Sequence, residues 1–495
     1  MKASRTTSHL LAPPLGTSRE LVLLAWPVVI SYALNNAYRI NDQYWIRALG
    51  ADAQAAIGMT FFVQVLNFAL FFLAVGGTMS TVARAVGGGN VERRDSLARH
   101  GLSLGLFLGF VLLAFELPLL GHLVDLLGLE AGARDAAYDY LYVILLFSPV
   151  MGLFPALDAV YLGRGETRTP MTLQAVAVAL NYCLNPILIF GASAAEVDAP
   201  GARWLGGVAA SLGIEGRGIA GAALATGISR TLVIALGLVL LRWRFHTRLF
   251  TFARPRLGRV LEIARVGAPV SFSIAVYGAV YLSLQALVLS ELGGAVTAGL
   301  GIGFQVFEGL AFPTYLGFAV AGSSLIGRAV GALDAEAAMR VLRQARRAGR
   351  VLGVLFTLLF LVASPFVIPL FTRDPAVHAE TWIYVATLAF SQYWVPIEAV
   401  HEKALMGAGE SRPVLWISPI GNGLRVPLAW IAAIGLGFGA LGVWWVINLT
   451  TLWKAWMYWR LVHRGGWLER AIARERIERQ AIQVAPRLDP APSRS

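Results

Sequence analysis

Residues 38–50 read YRINDQYWIRALG and close an apolar run that begins at Leu21. They set Arg39, Asn41, Asp42, Gln43 and Arg47 in a segment that is otherwise lipid-like. A carboxylate at the centre of a membrane helix costs roughly 2.5 to 3.5 kcal/mol on insertion scales, so its presence asks for a reason. Residues three and four apart share a helix face. Asn35, Tyr38, Arg39 and Asp42 therefore form one polar stripe, and Asn181 and Asn185 form another. Two readings fit. Either Arg39 and Asp42 neutralise one another within the helix, or the stripe faces an aqueous cavity in which Asp42 exchanges a cation. The second is the expectation adopted, because ionisable groups inside membrane segments mark ion and substrate pathways. The asparagines suit ligation and helix–helix hydrogen bonding equally. Further along, Gln305 and Glu308 in GFQVFEGLAF are candidates to line the same cavity. So are Gln285 and Glu398, whereas Glu402 and Asp158 lie near span ends, where holding a helix end in place is the simpler role. Arg425 reads as structural or as the partner of a carboxylate.

Chemistry of other kinds finds no constellation. The seven histidines are scattered, HExxH is absent, and the single cysteine, Cys183, has no general base beside it. VGGGN at Val86 and GAGES at Gly407 resemble phosphate-cradling glycines but lack the lysine of a P-loop. No enzyme, metal site or cofactor is expected, and any transport must draw on an ion gradient.

The elements that position these residues follow from composition. Of 495 residues 57% are hydrophobic and 14% charged, against about 25% charged in soluble domains; mean hydropathy is +0.64. This is a membrane protein. A span needs about 20 apolar residues, and twelve are read, starting near Leu21, Ala55, Gly101, Tyr138, Met171, Gly218, Gly267, Gly299, Val351, Thr381, Val414 and Ala440. The net charge of +12 does not indicate nucleic acid, because the basic residues gather in the loops after even-numbered spans, Arg340 to Arg350 among them. Such loops are cytoplasmic. Both termini are therefore expected in the cytoplasm, with the chain in the inner membrane. No cleavable signal peptide is evident, since no small-residue cleavage site follows the first apolar run.

The chain also repeats itself. GRGETRTPM at Gly163 recurs as GAGESRPVL at Gly407, and ARAVGGGNVE at Ala83 aligns with GRAVGALDAE at Gly327, both at an offset of 244. Pro27 pairs with Pro269 at an offset of 242, and these two are candidate hinges. Each half holds six spans, an even number, so the fold class is an all-α polytopic protein of two six-helix lobes in parallel repeat, with a central site between them. The expected boundaries are an N-terminal segment (1–20), an N-lobe (21–245), a basic connector (246–264), a C-lobe (265–464) and a basic tail (465–495). The first half carries an external insertion near 191–213. The tail from Trp467 reads as an interfacial helix or a solvated one.

PVVISYALNNAYRINDQYWIRALGADAQAAIG, STVARAVGGG, LGRGETRTPM and LNPILIFG, with their echoes, resemble the multidrug and toxic compound extrusion (MATE) family over nearly all of residues 21–467. The resemblance implies two six-helix lobes around a central cavity and export of amphiphilic, often cationic small molecules by H+ or Na+ antiport. Asp42 matches the family's first-helix acid, Asn181 its fifth-helix asparagine, and Pro27 the proline associated with bending. The chain departs from the pattern at Asn185, where many members carry an acid, and at Arg39. Glu308 resembles a bacterial subgroup. A Na+ site prefers several oxygen ligands and net negative charge, so the reading leans to protons, with the chain a monomer among membrane lipids. The alternatives are a flippase for a lipid-linked sugar, whose cavity should be basic, and, more remotely, a polytopic membrane enzyme.

Overall fold

The computed structural model describes residues 17–247 and 256–484. Most of the N-terminal segment, the basic residues Arg248 and Arg254 of the connector, and the chain end after Val484 lie outside the described residues. The N-half comprises α1 (Ser18–Ile46), α2 (Ala51–Gly87), α3 (Val91–Glu116), the short α4 (Leu120–Asp125), α5 (Ala131–Leu146), α6 (Ser148–Gly163), α7 (Arg168–Phe190), α8 (Ala202–Ser211) and α9 (Gly218–Trp243). The C-half comprises α10 (Leu257–Leu284), α11 (Gly294–Ile302), α12 (Gly309–Gly331), α13 (Ala335–Val367), α14 (Pro375–Gly407), α15 (Val414–Gly423), α16 (Arg425–Trp430), α17 (Gly439–His463) and α18 (Trp467–Val484).

Among the described residues eight helices are long and apolar enough to cross a membrane, and nine if α5 and α6 count as one span bent by 57°. The bend falls at Phe147, before Ser148 and Pro149. Its counterpart α14 is one helix of 33 residues with Pro396 inside it, and carries Glu, His and Lys along its length. With α14, the broken α15–α16 segment and α17, the layout is twelve spans in two lobes. The connector proves shorter than its sequence suggests, because α10 already begins at Leu257. The insertion is a folded cap: α8 buries Ala202, Leu205 and Ala209.

The repeat governs local structure. Asn90 caps α3 by accepting from Arg93 N at 2.8 Å, and Asp334, one offset away, caps α13 by accepting from Ala337 N at 2.8 Å. Each satisfies an amide that the first helical turn leaves unpaired. The C-half differs in three π-helical turns, Gln285–Leu289, Gly303–Glu308 and Ile431–Gly435. The first two contain Gln285, Gln305 and Glu308, and such turns recur at functional sites.

The lobes meet where α2 packs along α10, α1 along α12 and α2 on α12. A small apolar core of Val28, Met79, Ala159 and Val320 lies on this seam. Glycine makes the approach possible. A Cβ on Gly267 would sit 1.8 Å from Leu73 O, and one on Gly77 2.0 Å from Ile263 O. Near the basic ends of α2 and α12 a Cβ on Gly87 would sit 1.8 Å from Arg328 O, and one on Gly331 1.9 Å from Arg84 O. Those two contacts are the same contact seen from either lobe, as a parallel two-fold requires. At the other end Gly58 and Gly301 face open space.

Gly267→Val is expected to lower the thermal unfolding midpoint of the purified protein by several degrees, since overpacking typically costs about 1–3 kcal/mol or more. Gly58→Ala, in open space, should leave the midpoint unchanged or raise it; a scan of both variants in one detergent checks the contrast.

Candidate functional site

The outer half of α1 carries polar residues because three neighbouring helices supply partners for them. Asp42 is 7% exposed, and Asn181 and Asn185 of α7 are fully buried. Asn185 Nδ2 donates to Asp42 Oδ1 at 2.8 Å, and Thr226 Oγ1 of α9 donates to Asp42 Oδ2 at 3.3 Å. Asn41 Nδ2 donates to Asn181 Oδ1 at 2.6 Å, and Asn41 Oδ1 accepts from Trp45 Nε1 at 3.1 Å. Asn185 and Asn181 also share a longer bond of 3.3 Å. The carboxylate is thus gripped by neutral donors from two helices. The Oδ1 of Asn185 is buried without a partner. Carboxylate, amide and hydroxyl oxygens converge here, a donor set suited to a proton or to a hard monovalent cation.

One half of the expected stripe holds. Asn35, Tyr38 and Asp42 share the face toward α9: Asn35 Oδ1 accepts from Arg230 Nη2 at 3.2 Å, and Tyr38 OH meets Ser229 Oγ at 2.6 Å. Arg39 does not pair with Asp42. Its guanidinium lies over the Phe61 ring of α2, 4.3 Å from the centroid, and the residue is exposed. An i, i+3 step leaves about 60° between the two side-chain directions, enough for Asp42 to meet α7 and α9 while Arg39 turns to α2. The buried cation beside this network is Arg230 of α9, which the sequence reading missed. It is 8% exposed, packs between Tyr38 and Phe154 at 4.4 and 4.1 Å from their centroids, and donates to Gln174 Oε1 at 3.0 Å. The signal was present, as Arg230 is a lone arginine in the apolar run ATGISRTLVIALG, the criterion that singled out Arg39. Asn41, Thr226 and Ser229 were also missed; only the fold reveals which polar residues of α9 face α1.

The remaining candidates disperse through the C-half. Glu308 Oε1 accepts from Tyr384 OH at 3.1 Å. Gln285 Nε2 donates to Thr297 Oγ1 at 3.4 Å, and Gln305 is exposed. Glu398 is not a free cavity acid: Lys454 Nζ of α17 lies 2.8 Å away, and both residues are buried. Arg425 donates to Thr450 and Thr451 at 3.0 Å each, so it pins α16 to α17. Pro27 and Pro269 are buried inside helices that run unbroken through them. Glu402 pairs with Lys403 at 2.7 Å near the end of α14. A cavity of about 630 Å³ between α13 and α18 shares no residue with this site.

Arg230→Ala should cost several kcal/mol, of order 3, because it removes charge-assisted hydrogen bonds and two ring contacts from a buried position. Arg39→Ala, exposed and held by one ring, should cost under about 1 kcal/mol. Thermal denaturation of the two purified variants checks the ranking, and equal losses would return Arg39 to the side of Asp42.

Comparison with known proteins bears on the whole chain. The family model described as MatE matches residues 27–187 and 269–431, once in each half. The "Probable multidrug resistance protein NorM" of Thermotoga maritima is 28% identical over 471 residues, covering 93% of this chain and 95% of that protein. A protein of the same description from Caulobacter vibrioides is 28% identical over 417 residues, covering 81% of this chain and 80% of its own. A solved structure of a multidrug resistance MATE family transporter of the MOP superfamily, in an outward-facing conformation, superposes with a TM-score of 0.76 at 22% identity, covering 94% of this chain and 96% of that one.

Proposed function

The chain belongs to the MatE family of multidrug efflux transporters, and on that premise we propose that it is an antiporter in which proton exchange at Asp42 drives export of an amphiphilic, cationic small molecule. The observation that carries this reading is the grip on Asp42 by Asn185 and Thr226, with Arg230 fixed in the adjoining hydrogen-bond network through Asn35. A sodium ion needs several oxygens and net negative charge around it. Arg230 already supplies a permanent positive charge to this lobe, which disfavours a second one, whereas a proton needs only the carboxylate.

Protonation removes the negative charge that Asn185 and Thr226 are oriented to meet, and weakens the bonds that tie α1 to α7 and α9. The half of α1 beyond Pro27 is then freer to change its path, since proline removes one hydrogen bond of the helical ladder. Charge on Asp42 thereby couples to the shape of α1, and α1 packs on α12 of the other lobe. A ligand moves such an equilibrium only by its differential affinity for the two states; here the proton and the substrate hold opposite preferences. The substrate is placed between the lobes, where Asn35 and Gln305 are exposed and Glu308 offers an acid to a cationic group. The basic face is assigned to the cytoplasm and the membrane to the inner one. Sodium coupling is the second reading, favoured by the unpartnered Oδ1 of Asn185.

In proteoliposomes with only a pH gradient imposed, the wild type is expected to transport a cationic dye against its gradient, and Asp42→Asn to insert and bind the dye without coupled transport. Export by Asp42→Asn at the wild-type rate would contradict the mechanism. Transport driven by a Na+ gradient alone would favour the second reading.

A further inference from the structure

The two sequence motifs that the coupling site leaves unused, ARAVGGG and GRAVGAL, end α2 and α12 at the basic face. Their arginines, Arg84 and Arg328, lie on the seam and each reaches across it. Arg84 Nη2 of the N-lobe is 3.9 Å from Glu262 Oε1 of α10, and Arg328 Nη1 of the C-lobe is 3.8 Å from Glu20 Oε1 of α1. Glu20 and Glu262 are 242 positions apart, the spacing of Pro27 and Pro269. One ion pair thus occurs twice, related by the two-fold that relates the lobes.

The helix α18 adds a further contact across the seam. It follows the C-lobe in the chain, yet its Glu475 is 1% exposed and buried against N-lobe arginines. Glu475 Oε1 lies 2.6 Å from Arg93 Nη1 of α3, and its Oε2 lies 3.5 Å from Arg84 Nη1. Arg93 also reaches Glu262 at 2.8 Å and pairs with Glu478. The same helix also holds its own lobe: Arg474 donates to Gly409 O at 3.0 Å and pairs with Glu410, and Arg479 bonds Gly331 O. The N-lobe equivalent of Glu410 is Glu166, which instead caps α7 through Thr169 N.

We propose that α18 is a latch on the cytoplasmic gate, with Glu475 the residue that holds it shut. Opening this face separates α2 and α3 from α10, so Arg84 and Arg93 must leave Glu475 and Glu262 together. A buried charge stripped of its partner is strongly disfavoured, which makes the strap an all-or-none contact and not a graded one. It sets the balance between outward-open and inward-open forms without touching substrate or coupling ion. The latch rests on the alternating-access reading above. Its test needs neither substrate nor gradient, so failure of Asp42 as the coupling residue leaves it standing or falling by itself.

Glu92 and Glu336 are exposed, 244 positions apart, and begin α3 and α13 on opposite lobes. In a Cys183→Ser background, spin labels at Glu92→Cys and Glu336→Cys report the width of the basic face by pulsed electron–electron distance measurement. The wild type should show a dominant short-distance population. Glu475→Gln, which keeps size and some hydrogen bonding, should enlarge the long-distance population by about threefold or more, and Glu475→Lys should enlarge it further. Glu410→Gln, which loosens α18 only from its own lobe, should have a smaller effect. Distances in Glu475→Gln indistinguishable from wild type would overturn the proposal. So would an equal widening by Glu410→Gln, which would make α18 a structural cap and not a latch.

Discussion

A carboxylate held in a membrane-embedded bundle by neutral donors is the constraint around which the N-lobe is arranged. Were Asp42 matched by a guanidinium in contact, it would be a static ion pair and the helix could do without the asparagines. Instead Asn185 and Thr226 supply the bonds, Asn181 and Asn41 orient them, and Trp45 orients Asn41. Each residue in that chain comes from α1, α7 or α9, so the geometry at Asp42 depends on how three helices pack. Arg230 stands one step away, steadied by Tyr38 and Phe154, and supplies positive charge without closing the site. The same logic runs in reverse in the C-half. There Glu398 does contact a cation, Lys454, and Arg425 donates to two threonines, so those charges help hold α14, α16 and α17 together.

The second organising feature is the seam. Gly87 against Arg328 and Gly331 against Arg84 bring two helices into backbone contact, and the arginines that belong to those turns then span the lobes to Glu262 and Glu20. Backbone contact leaves no room for a gradual slide, because packed interfaces respond to stress by switching arrangement and not by deforming. A site inside one lobe can govern access to both faces only if the lobes move as units. The close-packed cores on either side of the seam favour that behaviour. The recurring motifs therefore recur for a mechanical reason: each lobe contributes the same half of one joint.

Much of this was legible in the sequence, and the reasons for the rest are specific. Twelve spans and two parallel lobes follow from hydropathy and from the offset of 244, since both are set by the bilayer and by chain duplication. Asp42, Asn181 and Asn185 were found because an i, i+4 pair must share a face, and the structure brings the three together. Arg39 stands away from Asp42 because i−3 is near in sequence yet about 60° away around the helix. Arg230 and Lys454 escaped because their partners lie on other helices, and hydropathy does not say which face of a span meets which neighbour. The tail's alternating Glu and Arg look solvated in sequence, because Glu475 finds its arginines roughly 380 positions earlier in the chain.

The proposed coupling requires Asp42 to give up a proton when substrate binds. The direct measurement is proton release: purified protein in weakly buffered detergent solution, near neutral pH, is titrated with a cationic substrate while a pH indicator counts protons. Stoichiometric release is expected from the wild type, independent of Na+, and none from Asp42→Asn at equal substrate occupancy. Equal proton release from Asp42→Asn, or displacement of bound Na+ with no proton released from the wild type, would contradict it.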